Sequence, residues 1–374
     1  MDHSHEVNSK PWRRRWPRVA LLAGAVLVSL IIVLVVIPVV SPSTGAAIAD
    51  DLRSIVGPEP VAVLESLSFR LKDTLKQIGY QANGTTSQVT WSDPSAAPTV
   101  EGGWQVFGQM PRNQPVMERT SIKPDSSRPY AEAALVRIDL SQVELHVLPG
   151  VSEPEAVAGV PPFPRPGRIP ADVQASGKLL AAFNGGFKAV NGHYGMMTDQ
   201  GVVLQPPLDS IATLAFYRDG RLRLGEWGRD ITASADLVAY RQNCPLLLDA
   251  GQITPSVIQD NHRDWGTTIQ NADATWRSGL GLSRDGHFLI YAAGDSLTVE
   301  SLARALQLAG ADFAMQLDIN SLYTRFVTYR PADVKTSKYP VVAQKLLDQM
   351  PGLGQSEFLS PYDRDFFYIT TRGS

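Results

Sequence analysis

The 374-residue chain balances 34 Lys and Arg against 37 Asp and Glu, a net charge of −3, which argues against nucleic acid as a partner because phosphate binding needs a basic face. Its 27 prolines and 30 glycines point to many turns and away from a helical bundle. One cysteine, Cys244, excludes an internal disulfide, so an exported chain of this kind must rest on a substantial apolar core.

From Val19 to Val40 no residue is charged, and at 1.5 Å per residue this run spans roughly 30 Å, the hydrocarbon thickness of a bilayer. Arg13, Arg14, Arg15 and Arg18 crowd its N-terminal side, and the next basic residue is Arg53. Positive charge stays in the cytoplasm, so residues 1–18 are expected as a cytoplasmic tail, 19–40 as a single transmembrane helix and the remainder as extracytoplasmic. Trp12 and Trp16 suit the interface beside the arginines. A cleaved signal peptide is the alternative, with Ser43 to Ala47 supplying small residues for processing. The tail carries five basic and two acidic residues, which leaves the exported part near −6.

Residues 41–103 read as stem and linker. Val63, Leu67, Leu71, Leu75 and Ile78 recur at helical spacing, with Gly79 as the expected stop. That apolar stripe must pack on the domain, on the membrane or on a second copy, the last giving a homodimer through the stem. Gln81 to Gly103, rich in Ser, Thr, Pro and Gly, predicts a linker.

The main domain is expected over 104–374. Ala131 to Leu148 predicts two strands broken at Ser141-Gln142, and Val151 to Pro170 a proline-dense loop. Leu179 to Phe183 is a short apolar strand running into Asn184-Gly185-Gly186. Asp219-Gly220 and Asp285-Gly286 each mark a hairpin. Thr298 caps a helix with Val299, Leu302, Leu306 and Ala309 on one face and Gly310 at its end. Phe313 to Leu317 is a buried strand leading into Asp318, and Asp363 to Thr370 predicts a final strand. The pattern implies an α+β fold, a mixed and largely antiparallel sheet with few helices, preceded by the transmembrane helix and the helical stem.

Three loops carry polar residues at strand ends. In Phe183-Asn184-Gly185-Gly186-Phe187 the paired glycines permit positive φ and a backbone nest for an anion, while the plainer reading is a tight strand exit. Arg277, opening a strand of small and apolar residues, suits either a two-point grip on phosphate or a structural ion pair. Asp318, in Leu317-Asp318-Ile319-Asn320-Ser321, suits a general acid or base, a metal ligand or a cap, and Asp249 has the same placement after Leu248. His193, in the turn Asn191 to Gly195, is a candidate proton carrier, and His262 and Trp265 lie in a polar loop suited to sugar. No Walker loop, His-Glu-x-x-His or G-x-S-x-G occurs, which removes support for nucleotide hydrolysis, zinc proteolysis and lipase chemistry.

Taken in order, the blocks over Ala131 to Thr328 resemble the phosphodiester glycosidase family. They are VRIDL with VELHVL, NGGF from Asn184, NCPLLLDAG from Asn243, RSGLGLSRDG from Arg277 and the helix and strand into Asp318. The family's founding activity uncovers mannose phosphate by removing N-acetylglucosamine from a diester, and many bacterial members are linked to exopolysaccharides. The resemblance implies a membrane-anchored hydrolase of sugar-1-phosphodiester bonds in envelope polysaccharide or glycan. Asp318, Arg277, Asn184 and His193 would be its catalytic candidates, and Gly185, Gly186, Asn320, Ser321 and Asp249 its substrate contacts. It calls for no cofactor and no metal; the implied partner is a phosphorylated glycan. Where the family usually reads Asp-Gly-Gly-Gly-Ser this chain has Asp318-Ile319-Asn320-Ser321, and Lys188 stands where an aromatic is usual. The alternative these departures favour is a glycan- or partner-binding protein of the same fold without catalysis.

Overall fold

The computed structural model describes residues 48, 51–53, 55–84, 99–100, 103–259, 264–266, 273–331, 340–351 and 354–372. The tail 1–18, the predicted span 19–40 and His262 lie outside the described residues, among which no helix is long and apolar enough to cross a membrane. Two compact units divide the chain, residues 1–68 and 69–374.

Helix α1, Pro58–Asn83, contributes to both units. It does not stop at Gly79. It runs one turn further and ends at Gly84, whose φ of +72° and N–H bond to the Tyr80 carbonyl (2.9 Å) supply the left-handed stop. Within the first unit Arg53 pairs with Glu65 at 2.6 Å. Within the second, Arg70 pairs with Asp273 at 3.0 Å and Lys76 with Asp295, while Asp73 accepts from the Tyr130 hydroxyl at 2.9 Å. The stripe Val63, Leu67, Leu71, Leu75 and Ile78 stays 41 to 56 % exposed.

Strands β1 (Thr99–Val100), β2 (Trp104–Val106), β3 (Met117–Ile122), β4 (Ala133–Asp139), β5 (Val143–Leu148) and β6 (Leu179–Asn184) open the domain. There follow β7 (Met196–Met197), β8 (Val203–Gln205), β9 (Ala212–Tyr217), β10 (Leu222–Glu226), β11 (Leu237–Gln242), β12 (Leu246–Asp249) and β13 (Gln252–Ile253). The hairpin β14 (Thr275–Ser283) and β15 (Phe288–Leu297) precedes helix α2 (Val299–Leu308), then β16 (Ala311–Gln316), β17 (Phe326–Arg330), β18 (Val341–Lys345) and β19 (Phe366–Thr371). They form a nine-stranded sheet ordered β1-β2-β3-β4-β15-β14-β16-β12-β13 and two of five strands, β10-β9-β11-β7-β8 and β18-β17-β6-β19-β5. The largely antiparallel α+β expectation holds, but as three sheets, and among the described residues the only parallel pairing is an isolated bridge between Trp227 and Ile231. Short turns such as Asp219-Gly220 and Asp285-Gly286, with glycine φ of +81° and +69°, can only return the chain antiparallel.

Strand β14 is the wall between two cores. Ser278, Leu280 and Leu282 face one way, the leucines into the cluster that includes Phe183, Tyr291 and Phe367. Arg277, Gly279 and Gly281 face α2, whose Leu302 and Leu306 belong to the other cluster. A β-carbon on Gly279 would lie 2.8 Å from the Met315 carbonyl oxygen and 3.2 Å from Leu306, so glycine here lets the helix sit close. Gly279→Val is expected to cost about 1–3 kcal/mol by overpacking, read as a lower urea midpoint with unchanged slope. At the start of α2, Thr298 and Ser301 cap reciprocally, with N–H to oxygen distances of 2.8 and 3.0 Å, and Gly310 at φ +93° ends the turn.

Candidate active site

Strand β6 is buried along its whole length and delivers Asn184 to the point where β14, β16 and β19 meet. All four bonding positions of its amide are used. Oδ1 accepts from the Tyr291 hydroxyl (2.9 Å) and the Arg325 N–H (3.0 Å), and Nδ2 donates to Ser278 Oγ (3.0 Å) and the Gly185 carbonyl (3.0 Å). Ser278 Oγ in turn donates to the Asp318 carbonyl at 2.7 Å, and the Asp318 N–H donates to the Gly185 carbonyl at 3.1 Å. The structure thus joins Asn184, Gly185 and Asp318 in one hydrogen-bonded cluster.

The two glycines serve close approach, and neither adopts positive φ. A β-carbon on Gly185 would overlap the Asp365 carboxylate, and one on Gly186 would lie 2.8 Å from the Arg241 guanidinium. One amide of this loop does bind an anion, and that anion is the chain's own, while its neighbours bond neutral oxygens. Gly185 N–H donates to the Asp365 carbonyl and Gly186 N–H to Asp365 Oδ2, both at 3.0 Å, while Phe187 N–H donates to Asn243 Oδ1 at 3.0 Å. Arg241 completes the support, bonding Asp365 at 2.8 and 3.2 Å with neither side chain exposed.

Asp318 is 4 % exposed on the turn that leaves β16. Its Oδ1 accepts from the Asn320 N–H (2.8 Å), and its Oδ2 is bonded to Arg364 Nη2 at 2.6 Å. Burial raises the carboxyl pKa above its ordinary value; Arg364 and the Asn320 N–H oppose that rise and Asp365 adds to it. Arg364 also donates to the Gly186 carbonyl (3.1 Å), with Tyr323 against its guanidinium at 4.5 Å. Burial works against the Arg364 charge, yet Asp318 and Asp365 raise its pKa on balance. Asn320 accepts from the Leu322 N–H at 2.9 Å, and Ser321 is half-buried on the same turn. Ile319 takes no positive φ, and its Cδ1 lies against Gly266, where an added β-carbon would be 2.7 Å away.

Arg277, one residue from Ser278, points the other way. It is fully buried and donates to carbonyl oxygens of Leu297 (3.0 Å), Asp273 (3.2 Å) and Trp265 (3.5 Å) and to Gln316 Oε1 (2.7 Å). Burial lowers its pKa to about 10 against the raising influence of Cys244 and Asp273. Replacing Arg277 with methionine leaves these acceptors without a donor, and a loss of about 3 kcal/mol or more is expected in denaturant unfolding. His193 is exposed, at φ +51°, outside the cluster. Asp249 pairs with Arg229 at 2.7 Å beside the start of β16, where Gly251 N–H bonds the Asp312 carbonyl. Six strand residues, roughly 20 Å, separate that position from Asp318.

Two cavities are defined by described residues away from this cluster. One of about 570 Å³ is lined by residues including Glu144, His146, Phe216 and Arg372, and one of about 200 Å³ by residues including Lys76, Trp276 and Asp295. Neither is lined by Asn184, Arg277 or Asp318. No group of three or more His, Cys, Asp or Glu side chains among the described residues could hold a metal ion.

A phosphodiester glycosidase family model matches residues 177–321, the stretch from the approach to β6 through the Asp318 turn. The resemblance to that family is thereby shown, and the matched stretch contains Asn184, Arg277 and Asp318 while Arg364 and Asp365 lie beyond it. Among solved structures, the chain is similar to the zebrafish N-acetylglucosamine-1-phosphodiester alpha-N-acetylglucosaminidase catalytic domain, auto-inhibited by its pro-peptide. That match has 16% identity, a TM-score of 0.44, and coverage of 75% of this chain and 92% of the other. A hypothetical protein from Synechocystis matches at 12% identity and TM-score 0.39, over 77% of this chain and 68% of that one. No curated protein matches.

Proposed function

We propose that the protein hydrolyses sugar-1-phosphodiester bonds, with Asp318 as the acid. The observation that carries the reading is the buried Asp318–Arg364 pair at 2.6 Å, at the turn where the family match ends and tied to the Asn184 loop. The bond broken joins the anomeric carbon to the phosphate oxygen. It breaks as that carbon takes on oxocarbenium character, and the departing phosphate monoester takes the Asp318 proton. The water that adds to the carbon then gives a proton back to the Asp318 carboxylate. The leaving group is already a good one, so the site must chiefly stabilise charge on phosphate. In this reading Arg364 stands at the reacting carboxyl, and Arg277 holds the strand on its other side.

The natural substrate proposed is a phosphorylated glycan or polysaccharide of the cell envelope, met on the extracytoplasmic side by a protein tethered through residues 19–40. The uncharged run with four flanking arginines supports the tether. The exposed stripe on α1 supports pairing between copies, and Leu71→Asp is expected to move the full-length protein from dimer to monomer in sedimentation. The direct test of hydrolysis is release of sugar from an activated sugar-1-phosphodiester by purified full-length protein; absence of release at any pH between 4 and 8 removes the hydrolase.

A second reading is a binder of anionic glycan without turnover. It is favoured by the Ile319 side chain packed against Gly266 and by the loop amides already engaged with Asp365 and Asn243. Saturable glycan binding without product would establish it.

A further inference from the structure

Among the described residues, two buried donors within the electrostatic reach of Asp318 have no hydrogen-bond partner. Arg364 uses Nη2 on Asp318 and Gly186, but its Nε, equally buried, bonds nothing, and the Tyr362 hydroxyl two residues earlier is in the same condition. Both residues are nearly closed off, at 5 and 7 % exposure. An unpaired buried donor is costly, more so for a charged group, so two close together in sequence and in one charge cluster call for a shared acceptor. Tyr362 is fixed by its ring, which packs edge-on against Phe358 at 5.1 Å and lies 5.1 Å from the Arg325 guanidinium. Its hydroxyl therefore cannot turn away to find water without breaking that packing.

We propose that Arg364 Nε and the Tyr362 hydroxyl form the phosphoryl-binding half of the site, taking the negatively charged oxygens of a phosphodiester beside Asp318. The inference rests on the hydrolase reading for its substrate and extends it to the group that recognises phosphate. Charge in the cluster fits this ligand. Arg241, Arg325 and Arg364 face Asp318, Asp365 and Glu357, through the Arg241–Asp365, Arg325–Glu357 and Arg364–Asp318 pairs. In the acid form that the hydrolase reading requires of Asp318, one positive charge is left over. A phosphodiester carries one negative charge at neutral pH, whereas a phosphate monoester carries between one and two. The diester substrate thus matches the excess and the monoester product exceeds it, which favours product release. Tyr323, half-buried on the 320–324 turn, covers the Arg364 guanidinium at 4.5 Å and is the side chain that must swing aside for entry.

The test is calorimetric titration of the full-length protein with diethyl phosphate and, separately, with inorganic phosphate. Tyr362→Phe removes only the orphan oxygen, and Arg364→Lys keeps the charge but loses Nε. Wild type is expected to bind diethyl phosphate more tightly than inorganic phosphate, and each variant to weaken that binding roughly ten- to hundredfold. Asp318→Asn is expected to retain it. If Arg364→Lys does not fold, Tyr362→Phe alone decides, because its phenol oxygen has no bond to lose. No binding by wild type, or equal binding by wild type and Tyr362→Phe, overturns the subsite. Turnover abolished by Asp318→Asn with binding untouched in Tyr362→Phe would keep the hydrolase and remove the subsite. Diester binding weakened by both variants, in a wild type that shows no turnover, would keep the subsite and remove the hydrolase.

Discussion

Asp318→Asn is expected to lower turnover of an activated sugar-1-phosphodiester by about 10²–10⁴-fold while leaving the protein folded. Asparagine keeps an oxygen for the Asn320 N–H, so the turn at 318–320 survives, but its amide nitrogen cannot accept from Arg364, so some stability is lost together with the transferable proton. Wild-type activity should fall as pH rises through the Asp318 pKa, because the acid acts only when protonated. An ordinary aspartate would lose its proton near pH 3.9, and burial places this one higher, so the plateau should extend toward neutrality. Arg364 holds that pKa down. Its replacement by methionine should move the falling limb to higher pH as it lowers the maximum, a combination that loss of fold alone would not give. A mutant with wild-type kcat/KM across this range would dismiss Asp318 as the acid.

The second large effect concerns stability. Asp365→Asn should destabilise the protein by about 3–5 kcal/mol, because it leaves the Arg241 guanidinium buried with its countercharge removed. The same change weakens the carboxylate acceptor of the Gly186 N–H and so loosens the loop that holds Asn184. Denaturant unfolding followed by tryptophan fluorescence measures it, and a midpoint equal to wild type would mean that Arg241 is held by its carbonyl partners at Tyr194, Gln242 and Phe187. The double replacement of Arg241 and Asp365 by apolar residues should recover part of the loss, since it removes both charges together.

Much of the fold was legible because it is written in local chemistry. Asp-Gly turns, the Thr298 cap with Gly310, and the apolar runs at β6, β9 and β16 need only neighbours in sequence. The glycines at 279 and 281 were visible as a pattern, but their reason, a helix lying against alternate positions of β14, depends on residues twenty or more places away. Asn184 and Asp318 could be picked out as polar residues at the ends of buried strands. Arg277 shows where such reasoning runs out. A strand of period two sends adjacent residues to opposite faces, and nothing local says which face meets the site, so Ser278 reached the cluster and Arg277 did not.

Arg364 and Asp365 escaped notice although a signal was present. Asp363-Arg364-Asp365 stands directly before the apolar Phe366-Phe367-Tyr368-Ile369, and charges abutting a buried strand must find partners. Arg241, at the end of the strand Leu237–Gln242 after the apolar Leu237-Val238-Ala239, gives the same hint from the other side of the pair. Their meeting is a matter of topology, because β19 inserts between β6 and β5 and so brings the C-terminal segment to the Asn184 loop. The helical stop misplaced at Gly79 has a simpler cause: glycine permits termination without enforcing it, and the left-handed turn came at Gly84.

The lone thiol has a practical consequence. Cys244 is fully enclosed, and burial pushes its pKa up to about 12, so almost none of it is thiolate at physiological pH. With no second sulfhydryl to join and no access for oxidants, folding owes nothing to the oxidising or reducing character of the surrounding fluid. The native protein should ignore maleimide, and a cysteine engineered at any exposed position would then be its sole point of chemical attachment.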